Sequence, residues 1–213
     1  MTAAAAALAA ALAFVAGCCD GIAYVRWHMF AANMTGNTIL FGLAVVGGQP
    51  ATALRTLASI GAFTAGAALA TAVKERTSPI VAFVAEALVL AVAAVLHGAG
   101  LQLPLIAFAM GIQNPTFSTF AGIRANTSFV TGDYAQFGAA FADLIRRKNV
   151  APSRRTLAVL AALVVAYAVG GGSAALLAAH SPYALIAVVP VVLLIALAVA
   201  RGAGRVAYPP SQT

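Results

Sequence analysis

Uncharged apolar runs follow one another along almost the whole chain, and that pattern constrains what it can fold into. Of its 213 residues, 62% are hydrophobic and only 8% are charged. A water-soluble domain carries roughly 25% charged residues. A chain this short leaves too much surface exposed to hide such an excess in one core. The expectation is an all-α integral membrane protein, with lipid as the solvent for its apolar side chains. At about 20 residues per span, the length suits a single transmembrane domain over 1–213. Eight helical segments are read at 3–26, 35–47, 53–73, 79–97, 102–118, 130–147, 155–178 and 182–200. The second is short for a span and the sixth is polar for one.

Several function classes drop out. The net charge of +7 does not mark a nucleic-acid partner. The basic residues form short clusters between apolar runs, without a basic face or aromatic platform, as the positive-inside rule produces. Cys18 and Cys19 are adjacent and are the only cysteines, so there is no disulfide framework and no metal-ligand spacing. No Ser-His-Asp arrangement, histidine cluster or phosphate-cradling glycine loop occurs; an enzyme, a cofactor and a metal are not expected. Val15-Ala16-Gly17-Cys18 resembles a lipoprotein cleavage site. No basic residue precedes that run, as a signal peptide requires, and the expectation is an attached first transmembrane helix.

The halves repeat, about 3–97 against about 102–200. Gly17-Cys18-Cys19-Asp20-Gly21 aligns with Gly111-Ile112-Gln113-Asn114-Pro115, and Asn33-Met34-Thr35-Gly36-Asn37 with Phe129-Val130-Thr131-Gly132-Asp133. Ala58, Ala62, Gly66 and Ala70 align with Ala162, Ala166, Gly170 and Ala174, and Ser78-Pro79 with Ser181-Pro182. The small-residue stripes of the third and seventh segments suit close helix packing in lipid, against each other or near a pseudo-two-fold axis. Each Ser-Pro pair reads as an N-cap followed by proline at the first helical position.

Charge sets orientation. Lys74 and Arg76, the cluster Arg146, Arg147, Lys148, Arg154 and Arg155, and Arg201 with Arg205 belong in the cytoplasm by the positive-inside rule. The third segment then runs inward and the seventh outward, so the repeats are inverted. The second and sixth segments must each begin and end on one side. The layout is six transmembrane helices plus two re-entrant half-helices, with both termini cytoplasmic. Arg124 falls inside, and only Arg26 and Arg55 fall outside.

Polar groups within apolar spans are costly and need a reason. Asp20 and its counterpart Asn114, beside Gln113, are flanked by glycine or proline, which suggests that both helices loosen there. Thr35-Gly36-Asn37 and Thr131-Gly132-Asp133 open the half-helices, with threonine at the N-cap and free N–H groups beyond it. Glu86 lies seven residues after Pro79, near mid-membrane. A carboxyl there is either neutral or paired with a group such as Asn37, Asn114 or Thr131. His28, His97 and His180 fall at segment ends, and Tyr24 and Trp27 suit an interfacial aromatic belt.

The ordered set Gly-x-x-Asp-Gly, Asn33-Met34-Thr35-Gly36-Asn37, Met110-Gly111-Ile112-Gln113-Asn114 and Val130-Thr131-Gly132 resembles the YoaK family, over about residues 10–200. These are bacterial inner-membrane proteins classed as domain of unknown function number twelve seventy-five. The chain departs from the family pattern at Pro115, where alanine is more usual, and at Cys18-Cys19. The resemblance implies a multi-pass inner-membrane location and brings no activity.

Inverted repeats, broken helices and paired half-helix N-termini are recurring parts of secondary transporters. The expected function is a small transporter or channel-like carrier for a small solute, an anion or polar metabolite. Asp20, Asn37, Glu86, Asn114 and Asp133 line the central site, and Glu86 is a candidate for proton coupling. The alternative is a non-transporting structural or regulatory membrane partner. Solvent access to Glu86 separates the two. The bilayer and the solute are the expected partners, and the short chain is compatible with a homodimer.

Overall fold

The structure, a computed structural model, describes residues 3–97, 100–116, 119–120, 123–124, 130–148 and 150–201. Its helices are α1 (Ala3–Trp27), α2 (Met34–Val46), α3 (Pro50–Val73), α4 (Pro79–Val95), α5 (Gln102–Thr116), α6 (Val130–Ile145), α7 (Val150–His180) and α8 (Val188–Ala200). A small antiparallel pair, β1 (Thr119–Phe120) and β2 (Ile123–Arg124), separates α5 from α6. Among the described residues, three helices are long and apolar enough to cross a membrane: Ala6–Trp27, Pro50–Val73 and Val150–His180. Leu54, Leu88, Leu176 and Leu194 point outward, a surface that suits lipid rather than water. The chain is a helical membrane protein.

Local chemistry sets the boundaries. Pro50 and Pro79 occupy the first turns of α3 and α4, where the missing N–H costs nothing. Helix α1 ends at Trp27, and the next residue, His28, has a φ of 54° that no helix continues. Gly48, at φ 63°, closes α2, a position glycine takes without a Cβ penalty. Ser181 does not cap the next helix as the sequence suggests. Its hydroxyl accepts the Tyr183 N–H at 3.1 Å, and a 3₁₀ turn, Ala184–Ala187, leads into α8.

The packing repeats across the halves. Helix α1 packs on α7, and α5 on α3; α2 lies on α3, and α6 on α7. Helix α4 sits against α5 and α8, and α8 also against α1. At the α1–α7 crossing, a β-carbon on Gly17 would stand 2.1 Å from Tyr167 O, and one on Gly170 would stand 2.2 Å from Phe14 O. At the α5–α3 crossing, the corresponding values are 2.1 Å from Gly111 to Phe63 O and 2.2 Å from Gly66 to Phe108 O. Only glycine permits these approaches. The stripes on α3 and α7 are therefore used against α5 and α1, not against each other. Nor do α3 and α7 sit at the centre: 28% of each one's span window is buried, against 67% for α1.

Helix directions follow from named contacts. Gly17 meets Tyr167 and Gly21 meets Gly171, so α1 and α7 run parallel. Gln113 reaches Leu12 O while Arg26 reaches Gln102, so α1 and α5 run antiparallel. Met29, just beyond α1, touches Thr56 near the start of α3 at 3.6 Å. The end of α1 and the beginning of α3 therefore share one end of the bundle. Helix α2, 13 residues long, lies between them and extends about 20 Å.

Candidate functional site: a clasped linker and a sealed carboxyl

The segment between α1 and α2 is not helical, yet Met29, Ala31 and Ala32 are buried. Backbone groups at that depth must find partners inside the protein. Asp20 supplies two of them: its Oδ1 accepts the N–H of Ala31 at 2.7 Å and of Ala32 at 2.6 Å. Its Oδ2 accepts the Tyr167 hydroxyl from α7. Asn37 clasps one peptide from both sides: Oδ1 accepts the Phe30 N–H at 2.9 Å, and Nδ2 donates to Phe30 O at 2.6 Å. The cap of α2 is Asn33, not Thr35 as the sequence suggests, and its side chain accepts the Gly36 N–H at 3.1 Å. Threonine at position 35 lies outside and exposed, because the helix begins one residue earlier. Gly36 is required by packing, since a β-carbon there would sit 2.9 Å from the Phe30 ring.

Glycine beside Asp20 does not break α1, which is continuous through Trp27. Gly17 and Gly21 serve the close approach of α7 instead. Asp20 is buried at this crossing rather than meeting water at the membrane surface. Helix α5 ends at Thr116, directly after Pro115. Gln113 is buried, its amide donating to Leu12 O at 3.2 Å, and Asn114 is half-buried. Gly132 is exposed with open space around it. Asp133 is buried in the first turn of α6. Thr131 lies in that same turn, but its side chain is outside what the structure describes, as are Phe129 and Arg205.

Glu86 stands in the middle of α4 with no exposed surface. Neither carboxyl oxygen has a hydrogen-bond partner among the described residues. The residue lies within electrostatic reach of Cys19 on α1. Neither Asn37 nor Asn114 bonds it, and Asn37 is engaged with Phe30. Leaving such a group unbonded costs about 1–3 kcal/mol.

The structure thus gathers Asp20 and Asn37 around one linker, and Gln113 reaches α1 from α5. Thr35 and Gly132 point away. Two contributors are not legible as site residues in the sequence. Tyr167 is one, although a lone phenol within an apolar span is itself a signal. Arg26 is the other. Its guanidinium donates to Gln102 Oε1 at 3.2 Å and to the carbonyls of Ser181 at 3.1 Å and Pro182 at 2.5 Å. It ties together the ends of α1, α5 and α7.

Three cavities of about 370, 400 and 440 Å³ open on the bundle. None of the three is lined by Glu86. The first reaches Ala85 and Ile112, the chain neighbours of Glu86 and Gln113.

The chain matches the family described as "Protein of unknown function (DUF1275)" over residues 8–200. It belongs to that family. No match to a curated protein or to a solved structure was found. Family membership carries no assigned activity to this DUF1275 chain.

Proposed function

We propose that this DUF1275 protein is a small transporter or channel-like carrier for a small solute, with Glu86 as its coupling group. The observation that carries this reading is the unbonded carboxyl at the centre of α4. Polar groups in a membrane interior are retained for substrate, ion or proton handling, because replacing them with apolar ones is energetically easier. The architecture in this proposal is six transmembrane helices plus two re-entrant half-helices, in two inverted repeats. Matched packing of the halves supports the repeats. Helix directions support the half-helices. Helix α2 leaves from and returns to one end of the bundle, and at about 20 Å it is shorter than the roughly 30 Å hydrocarbon core. The parallel course of α1 and α7, both antiparallel to α5, supports the same reading for α6. The buried non-helical linker fits a re-entrant segment, since unwound backbone is tolerated at depth only when protein satisfies it. In this proposal both termini lie in the cytoplasm, which the distribution of basic residues supports, and the membrane is a bacterial inner membrane.

A second reading keeps one observation in its favour. Glu86 is sealed from the three cavities, as a packed, non-transporting membrane partner would have it. The carrier reading takes this conformation as closed over Glu86 and requires another in which water reaches it.

The test uses proteoliposomes loaded with a pH-sensitive dye and challenged with small anions and polar solutes. Solute-dependent proton movement in the native protein, lost in a normally folded Glu86→Gln variant, is the expected result. Unchanged pH-dependent activity in Glu86→Gln would leave Glu86 a structural residue. A stable protein that moves nothing, and whose Glu86 never exchanges with solvent, favours the partner role.

A further inference from the structure

The cavity of about 370 Å³ lies between the C-terminal end of α3, the start of α4, and the ends of α5 and α8. Its volume falls in the range of small-molecule sites. The walls are apolar: Leu69, Val73, Ile80, Val81, Ile112 and Val199 dominate them. Two of the hydroxyls present are committed to their own helices, Thr77 to Val73 O at 3.0 Å and Thr116 to Ile112 O at 2.7 Å. The one charged residue on the wall is Lys74, and it has no ion pair among the described residues. A strongly polar solute would lose its hydration here without replacement bonds, and a cation would meet Lys74.

By the repeat alignment, Ser78 and Pro79 on the cavity wall correspond to Ser181 and Pro182 at the opposite end of the bundle, whose carbonyls Arg26 holds. The basic residue beside the cavity is Lys74.

We propose that this cavity binds a free, single-chain amphipathic anion, with its tail among Leu69, Val73 and Ile80 and its charged head at Lys74. At roughly 30 Å³ per water-sized group, the space holds a chain of about ten to twelve such groups. That fits one medium-length carboxylate better than a two-chain lipid. The proposal deepens the carrier reading by naming a cargo class and rests on it only for the claim that the ligand is moved.

The test measures binding apart from transport. Ala82→Cys places a thiol on the cavity wall, with Ala85→Cys as the second choice should the first misfold. The protein is held in phosphatidylcholine nanodiscs, and its maleimide labelling rate is read with decanoate, decanol or decylammonium present. Decanoate at about ten times its dissociation constant should slow labelling about tenfold, with decanol weaker and decylammonium without effect. Lys74→Gln should reduce decanoate to the level of decanol, while Lys74→Arg should retain the difference. Gly42→Ala, at a position with open space around it and away from this wall, should leave the protection unchanged, and because protection is read without any transport assay, a failure of binding is separable from a failure of transport. Equal protection at Leu88→Cys on the lipid face would mean bilayer uptake and overturn the site. Protection by phosphatidylglycerol in the disc, without decanoate, would assign the cavity to a lipid headgroup and overturn the free ligand. Equal effects of decanoate and decanol, insensitive to Lys74→Gln, would overturn the anion.

Discussion

Where α1 crosses α7, and where α5 crosses α3, the same glycines rest against the same kind of carbonyl. Only the first crossing carries an acid and a phenol. Asp20 there meets Tyr167 and the linker amides, while the aligned positions in the second crossing hold Asn114 and Phe63. Glu86 likewise aligns with Val189. Close packing is common to both halves, whereas the acid paired with a phenol stands at the α1–α7 crossing. A scaffold must repeat its contacts to be stable, but a site needs its charged groups only once.

The largest effect should come from the shared contacts. Gly17→Leu and Gly111→Leu each force a side chain onto a carbonyl already at van der Waals limit. Both should cost about 3 kcal/mol or more, read as loss of monodisperse folded protein and a fall in apparent Tm. If one half tolerates its substitution, the packing equivalence fails.

Asp20→Ala against Asn114→Ala sharpens the chemical difference. The first leaves two buried amides and a phenol unpartnered, at about 1–3 kcal/mol for each orphaned donor. The second, at a half-buried position, should stay below about 1 kcal/mol. Tyr167→Phe, which makes the first crossing resemble the second, should fall between them. Equal losses at Asp20 and Asn114 would remove the asymmetry.

Glu86 should behave in the opposite sense. Glu86→Leu removes a buried, unbonded carboxyl and should stabilise the fold by about 1 kcal/mol or more. Destabilisation would reveal a tie between helices that its oxygens do not make here. Gly132→Ala, with open space around it, is the smallest expected effect. It should gain about 0.5–1 kcal/mol as an ordinary helix position, whereas Gly66→Ala at the crossing should lose.

The elements were largely legible because apolar runs are punctuated by proline, glycine and charge. Pro50 and Pro79 mark helix starts, and Gly47-Gly48 marks the end of α2. Helix α7 begins at Val150, earlier than expected, because the basic residues Arg154 and Arg155 read as loop while their long side chains continue a helix. The site was legible only in part. Asp20 and Asn37 stand out as polar groups in apolar surroundings, but their partners do not. Tyr167 lies 147 residues from Asp20, and Arg26 lies 76 and 155 residues from Gln102 and Ser181. Such pairings depend on which helices cross, and the small-residue stripes say that helices approach without saying which. The same ambiguity makes Gly17 and Gly21 read as helix breaks when they are points of contact.

The inverted arrangement depends most on α2 and α6 returning to the side from which they start. Single cysteines at Gln49, Ser78 and Lys148, all exposed positions, test this when Cys18 and Cys19 are replaced by serine. Labelling with a membrane-impermeant maleimide is compared between intact cells and inside-out vesicles. Gln49→Cys should react only from outside, and Ser78→Cys and Lys148→Cys only from the cytoplasmic face. Reaction of Lys148→Cys from outside, with Ser78→Cys still inside, would mean that α6 crosses the bilayer, and would contradict the inverted arrangement.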